Sequence, residues 1–404
     1  MSLAGSKKCD VIILSADFGS GHHQVSLALK KVLVERRPFW EVGIFNYFQY
    51  INPFFDKSLR FGYTQMLKHF SWGYDLFYRV TKETDPNSKS RQMLNNMGRK
   101  KIHQLILEHS PKVVICTFPT PAGVVSQLKQ KGRINTPLAV VITDVSAHSQ
   151  WIHPMVDAYI VAADVVAQRL IKKGIPAEKI HTTGIPIRPQ FEAPAPDPGF
   201  WIKHNLDQSL FTLLIMGGGE GLMPGIDRIA ERLENMGLPI QIIALAGSNQ
   251  SLARNLQELA RRSSIPIRVL GYTENIAPIM EGSNLLLSKA GGITVFEALA
   301  VKLPILLYKP LPGHEMGNVH FLLDNGAALM AQNENQAVEL IKSSIGDPSI
   351  LENISRAMLP LSKPFSARHA ADAIIGLVSR DHYIKLGDGV VQEEKLYTHG
   401  NRYG

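Results

Sequence analysis

An α/β protein built as two doubly wound halves is what this chain predicts, and three observations predict it. Short apolar runs recur along the sequence, each followed by a glycine turn or polar loop and a helix-like stretch. A proline-rich passage from Pro186 to Pro198 interrupts that pattern near its middle. The length of 404 residues exceeds what one hydrophobic core ordinarily holds, so two domains of usual size are expected.

In the first half, Asp10 to Ser15 (DVIILS) reads as a buried parallel strand. Ala16-Asp17-Phe18-Gly19-Ser20-Gly21-His22 then makes a glycine turn before the helix-like QVSLALKKVL. The third glycine of a dinucleotide fingerprint is missing and no acidic residue closes the next strand, so a nicotinamide cofactor is not indicated. His22 stands where loop becomes helix. The positive helix end favours the neutral imidazole there, which can take a proton from a hydroxyl, although a residue so placed can equally start a helix by bonding to backbone. Lys112 to Phe118 (KVVICTF) and Pro137 to Asp144 (PLAVVITD) read as two further parallel strands. Asp144 falls at the sheet edge where α/β proteins keep their chemistry. His148 and His153 lie five apart without an evident third ligand, so no metal site is expected.

Five prolines between Pro186 and Pro198 are expected to exclude regular structure and to stiffen a connector, which puts a linker at residues 188–201. It separates a domain of residues 1–187 from one of residues 202–365. Residues 366–404 are expected to supply a helix crossing back to the first domain and a polar tail. The second half restarts with Phe211 to Met216 (FTLLIM) and the cluster Gly217-Gly218-Gly219-Glu220-Gly221, a candidate phosphate cradle or a structural turn. Strands at Ile240 to Leu245 and Ile267 to Leu270 continue the alternation. Next comes NLLLSKAGGITVFEALAVKLPILLYKPLPGHEMGN, from Asn284 to Asn318, which reads strand, glycine turn, helix, strand. Adjacent glycines let backbone N–H groups approach an anion, and the helix aims its positive end at the same place. Glu297, one turn into that helix, suits a ribose diol. An ordinary βαβ turn with a solvent-facing Glu fits the same residues.

Cys9 and Cys116 stand far apart, which argues for a reducing compartment and against a disulfide framework. No apolar run approaches the roughly 18 residues needed to cross a bilayer, and the first residues lack a signal peptide's hydrophobic region. The formal net charge is +8, and between Asp56 and Lys112 eleven basic residues stand against five acidic ones. Such an excess seeks phosphate. The stretch from Phe39 to Tyr78 holds 15 of the chain's 31 aromatic residues, interleaved with Lys57, Arg60 and Lys68. Core packing accounts for most of them. The surplus suits a surface dipping into a lipid interface, and the same mixture occurs where rings stack on single-stranded nucleic acid. The membrane is the preferred partner, because the nucleotide machinery gives a lipid acceptor a use.

The segment Asn284 to Asn318, with its closing Pro312, Gly313, Glu315 and Asn318, resembles the nucleotide-sugar signature of glycosyltransferase family 28. Within that family it is similar to bacterial diacylglycerol glucosyltransferases and plant-type monogalactosyldiacylglycerol synthases. The Phe18-Gly19-x-Gly21-His22 run resembles the family's N-terminal motif, whose His is the proposed general base, and TDVSAHSQWIHPMVDAYIVAAD resembles its Thr-Asp segment beside the acceptor cleft. The resemblance implies the GT-B fold, two Rossmann-like domains facing across a cleft. It implies inverting transfer of a hexose from a UDP-sugar to diacylglycerol, with no cofactor and no metal required. His22 and Asp144 would be catalytic, Asp144 orienting His22 or contacting the acceptor hydroxyl. Gly218, Gly219, Tyr272, Ser288, Gly291, Gly292, Thr294, Glu297, His314, Glu315 and Asn318 would meet the nucleotide sugar. Gly21, Phe54, Phe55, His148 and Trp151 would meet the acceptor or the membrane. His314 stands where relatives commonly carry Gln, which leaves glucose as first choice of sugar and galactose as second. The implied partners are UDP-hexose, diacylglycerol and an anionic membrane surface on the cytoplasmic side, with no nucleic acid. The rivals are a peptidoglycan-type GlcNAc transferase, a UDP-GlcNAc epimerase, and a non-catalytic nucleotide- or nucleic-acid-binding protein.

Overall fold

The computed structural model describes residues 8–17, 20–59, 62, 96, 98–194, 197–219, 221, 223–313 and 315–387. Two six-stranded parallel sheets organise them. The first comprises β1 (Val11–Ser15), β2 (Val42–Asn46), β3 (Val113–Cys116), β4 (Leu138–Val141), β5 (Ala158–Ile160) and β6 (Ile180–His181), in the order β2-β1-β3-β4-β5-β6. The second comprises β7 (Phe211–Met216), β8 (Ile240–Leu245), β9 (Ile267–Leu270), β10 (Leu285–Ser288), β11 (Ile305–Tyr308) and β12 (Ala328–Ala331), in the order β12-β11-β10-β7-β8-β9. Strands β1, β3, β4 and β10 are buried along their whole length, which is why they read as unbroken apolar runs rather than alternating ones. The strands β2, β5, β6 and β12 are short, and sequence reasoning passed over them.

Each sheet reverses direction once. The chain steps outward from β1 to β2 and then places β3 on the other side of β1; likewise it goes from β7 through β8 and β9 before placing β10 on the other side of β7. Loops leaving the two strands at such a reversal diverge, and the crevice they open at the carboxyl edge is where α/β proteins bind ligands. One crevice therefore lies between β1 and β3, the other between β7 and β10.

The proline-rich segment departs from expectation. It contains a 3-10 turn, Pro189–Phe191, and a short helix, Pro198–Lys203, each starting on proline. First-turn N–H groups have no intrahelical partner, so a residue lacking one is no loss there. Phe191 and Trp201 are buried, and the connector is packed rather than free. A single apolar cluster runs from Val11 and Ile115 through Ile185, Ile187 and Phe191 to Leu214 and Leu286 in the second sheet. A second cluster around Leu213, Ile229 and Leu256 closes the opposite face of that sheet. Helix Ser366–Gly387 returns to the first domain, burying Ala367, Ala370, Ala371 and Ile374. Arg36 pairs with Asp372 at 3.2 Å, and Arg368 with Glu35 at 2.8 Å and Glu192 at 2.6 Å.

The aromatic stretch divides. Tyr47 and Phe48 are core residues, while Phe39 and Phe54 are 96% and 83% exposed. Of the remainder, Arg60, Phe61 and residues 63–78 lie outside the described residues. Among the described residues no helix is long and apolar enough to cross a membrane.

Candidate active site

At the first crevice, helix Gly21–Arg36 leaves the β1 loop with His22 in its first turn. The His22 Nδ1 lies 2.7 Å from the Thr117 carbonyl oxygen, just past β3, and 3.1 Å from Thr143 Oγ1, just past β4. A carbonyl oxygen only accepts, so Nδ1 carries the hydrogen, and in the neutral ring the lone pair sits on Nε2. Ser26 braces the same region: its hydroxyl donates to the His22 carbonyl and lies 3.0 Å from Thr117 Oγ1. A backbone carbonyl thus does the orienting that a carboxylate does in many general bases, and it favours the imidazolium once a proton arrives. Of the two roles expected for Asp144, orienting His22 is filled by Thr117 and Thr143. Asp144 Oδ1 instead accepts from Ser146 Oγ at 2.7 Å. Burial pushes its carboxyl up to about 6, against the opposing pull of the Ser146 hydrogen bonds.

The His22 ring is also the end of a run of aromatic contacts. Phe118 meets it edge-on at 5.1 Å, Phe48 meets Phe118 at 5.8 Å, and Phe55 meets Phe48 at 6.4 Å. Phe55 is half-buried beside exposed Phe54, so an apolar path leads from the surface to the imidazole. Trp151 lies 6.4 Å from His22 on another side and is buried. His148, also buried, accepts from the Gln150 N–H at the start of the turn Ser149–Trp151.

At the second crevice, helix Gly292–Val301 starts behind Gly291 with no side chain capping its first N–H groups. Those open donors and the positive helix end suit an anion. Across the crevice Gly218, at φ +76°, holds the turn after β7, and a Cβ there would lie 3.8 Å from Lys289 Nζ. The Lys289 ammonium stands 3.7 Å from Glu315 Oε1, with both side chains nearly buried. Burial pushes the Glu315 carboxyl up, with Lys289 pulling the other way, and its Oε2 accepts from the Leu311 N–H at 2.6 Å. Lys289 was given no role from sequence. Its signal was a cation directly before the Gly291-Gly292 turn, a point charge beside open backbone donors.

Several expected ligand contacts have other partners. Ser288 Oγ donates to the Met216 carbonyl and ties β10 to β7. Glu297 is 1% exposed, which rules out the solvent-facing alternative, and its Oε1 accepts from Arg188 Nε at 2.8 Å. Burial raises its carboxyl while Arg188 opposes that rise. Asn318 is wholly buried: its Oδ1 accepts from the Val145 N–H at 2.8 Å and its Nδ2 donates to the Ala290 carbonyl at 2.7 Å. With both ends of the amide engaged by backbone, Asn318 bridges the two domains. Tyr272 is exposed, and its hydroxyl accepts from Gln24 Nε2 of the first domain at 2.9 Å. Thr294 is half-buried in the first turn of its helix, and His314 lies outside the described residues.

The two crevices face each other at close range. A Cβ on Gly219 would sit 2.5 Å from Ser20 Oγ, and one on Gly292 would sit 2.2 Å from the Thr143 carbonyl oxygen. A Cβ on Gly21 would meet nothing within 4 Å. Among the described residues no group of three His, Cys, Asp or Glu is placed to hold a metal ion.

Two doubly wound parallel sheets whose strand-order reversals face each other are the architecture of the GT-B class. The profile described as monogalactosyldiacylglycerol (MGDG) synthase matches residues 22–187, and that of the glycosyltransferase family 28 C-terminal domain matches residues 212–356. A processive diacylglycerol beta-glucosyltransferase of Bacillus pumilus (strain SAFR-032) is 32% identical over 396 residues, covering 97% of each chain. Acinetobacter baumannii MurG superposes with a TM-score of 0.61 at 16% identity, over 91% of this chain and 99% of its own. S. aureus MnaA, solved with UDP, gives 0.62 at 13% identity, over 96% and 100%. These two likenesses concern the fold alone. The chain belongs to glycosyltransferase family 28, together with the processive diacylglycerol β-glucosyltransferases.

Proposed function

We propose that this enzyme moves glucose from UDP-glucose to diacylglycerol, inverting the anomeric carbon to give a β-glycoside, and repeats the transfer on its own product. The observation that carries the reading is the His22 ring, fixed by the Thr117 carbonyl at a helix start where Ser20 lies against Gly219 of the other domain. The acceptor hydroxyl gives its proton to Nε2 as its oxygen attacks the anomeric carbon and the bond from that carbon to UDP breaks. General-base help of this kind contributes roughly 10²–10⁴-fold. The departing UDP meets Lys289, the amides of Gly218 and Gly219, and the first-turn N–H groups behind Gly291, and the proposal requires no metal.

The lipid half of the proposal rests on two supports. The relatives' name specifies diacylglycerol and glucose, and the aromatic path from Phe55 to His22 suits an acceptor that arrives with its chains in an apolar phase. The enzyme would then work as a peripheral protein on the cytoplasmic face of an anionic membrane, each Lys or Arg near the surface contributing about 1 kcal/mol.

Incubation with UDP-[¹⁴C]glucose or UDP-[¹⁴C]galactose and diacylglycerol vesicles, followed by lipid extraction, tests it. Label in glucosyldiacylglycerol and in a diglucosyl product is expected. Label from UDP-galactose alone would replace the sugar, and lipid free of label from both donors would overturn the acceptor. Phe54→Ser with Phe55→Ser should lower vesicle binding and lipid activity together while leaving UDP affinity in place. Saturable binding of single-stranded oligonucleotide in preference to vesicles, lost with the same two changes, would favour the non-enzymatic rival.

A further inference from the structure

Asn318 sits at a junction that neither chemistry nor packing alone explains. Its amide has an unambiguous orientation: the Val145 N–H can only donate, so Oδ1 faces it, and the Ala290 carbonyl can only accept, so Nδ2 faces that. Ala290 lies in the turn between Lys289 and Gly291, on the nucleotide side. Val145 follows Asp144 and lies two residues beyond Thr143, whose hydroxyl reaches His22 Nδ1. One short side chain therefore joins the anion cradle of one domain to the loop that holds the base of the other.

The neighbouring glycines make this junction tight. Gly317 approaches so closely that a Cβ on it would sit 2.5 Å from the Val145 carbonyl oxygen, and Gly292 does the same to Thr143 at 2.2 Å. Segment 143–146 is thus gripped at successive peptide units by the other domain. A polar group buried this completely is costly unless bonded, so the Asn318 contacts are made together or the interface opens to water.

We propose that Asn318 is a positioning residue that latches the domains closed, so that the loop bearing Thr143 and Asp144 is correctly set around His22 only while the nucleotide turn is in place. The kinetic half rests on His22 being the base; the latch itself does not.

The test uses Asn318→Ala, which removes both bonds, and Gly317→Ala, which leaves the amide intact and wedges the same peptide. UDP affinity is read by calorimetry, kcat and KM from transfer to diacylglycerol vesicles, and protection of the 140–147 backbone from hydrogen exchange. Both variants should hold UDP within about three-fold of the parent, lose kcat on the order of 10–100-fold, and lose protection of that segment. Because they break one contact, the double variant should be little worse than the poorer single one. His22→Ala should keep the segment protected, so failure of the base assignment and failure of the latch give different results. UDP affinity falling in step with kcat would make Asn318 a ligand contact and overturn the proposal. So would unchanged kcat, or protection retained in Gly317→Ala.

Discussion

The two crevices are built by the same device and do opposite things. Each lies where strand order reverses, and each follows a buried strand with a glycine turn and a helix. At the first, a side chain stands at the centre: His22 is held by the Thr117 carbonyl and the Thr143 hydroxyl, with Ser26 bonded to Thr117 beside it. At the second, the parts are backbone and point charge: Gly218, Gly219, Gly291, Gly292 and Lys289. The glycines differ accordingly. Gly21 has empty space where a side chain would go, whereas Gly292 is pressed against the other domain's backbone. A glycine turn in a sequence therefore announces a crevice without saying whether the glycine is needed for a ligand, for a neighbouring domain, or for neither.

The sharpest way to break this comparison is His22→Ala. Turnover should fall by about 10²–10⁴-fold with UDP affinity intact if, as proposed, the first crevice supplies the proton acceptor and the second the nucleotide contacts. Turnover kept within a few-fold would pass the role to Asp144.

Asp144 itself offers a pH test. Its carboxyl is raised from 3.8 to about 6, so the native state binds the proton more tightly than the unfolded chain does. That binding stabilises the fold fully below about pH 4 and is lost as pH rises through about 6, a loss of at most about 3 kcal/mol. Asp144→Asn has no proton to lose. Its melting temperature relative to the parent should climb between pH 4 and 6 and stay level above, and a flat difference would mean a solvated carboxylate.

Gly292→Ala comes next. Its methyl has no room beside Thr143, and overpacking of this kind costs about 1–3 kcal/mol, read in denaturant unfolding and accompanied by loss of transfer. Gly21→Ala should be the mildest, neutral or stabilising by less than about 1 kcal/mol, since alanine suits a helix better than glycine. If the two glycine variants behave alike, the contrast between the crevices fails. If Gly21→Ala stops transfer with fold and UDP affinity unharmed, the empty space beside it belongs to the acceptor.

What could be read from sequence follows the range of the forces involved. Strands such as β1, β3 and β4 announced themselves by continuous apolar runs, and the glycine turns by composition. His22 was legible because its helix start is local. Its partners were not, since Thr117 contributes a carbonyl, which every residue has, from 95 positions away. Glu297 was legible as a carboxylate on the right helix, but the arginine that meets it comes from the connector. Asn318 was recognised by motif, but its bonds to Val145 and Ala290 were not, because an amide bonded to two backbones in different domains has no signature along the chain.

Helix Ser366–Gly387 has a consequence for how the protein is made. Its buried face and its ion pairs to Glu35, Arg36 and Glu192 complete a domain whose strands were all synthesised more than 180 residues earlier. The first domain therefore leaves the ribosome with part of its apolar surface uncovered, and that surface stays so while the whole second domain is translated. Domains usually finish folding in order of synthesis. Here the first to emerge is the last to be finished, and until then its exposed helix is a surface for chaperones to hold.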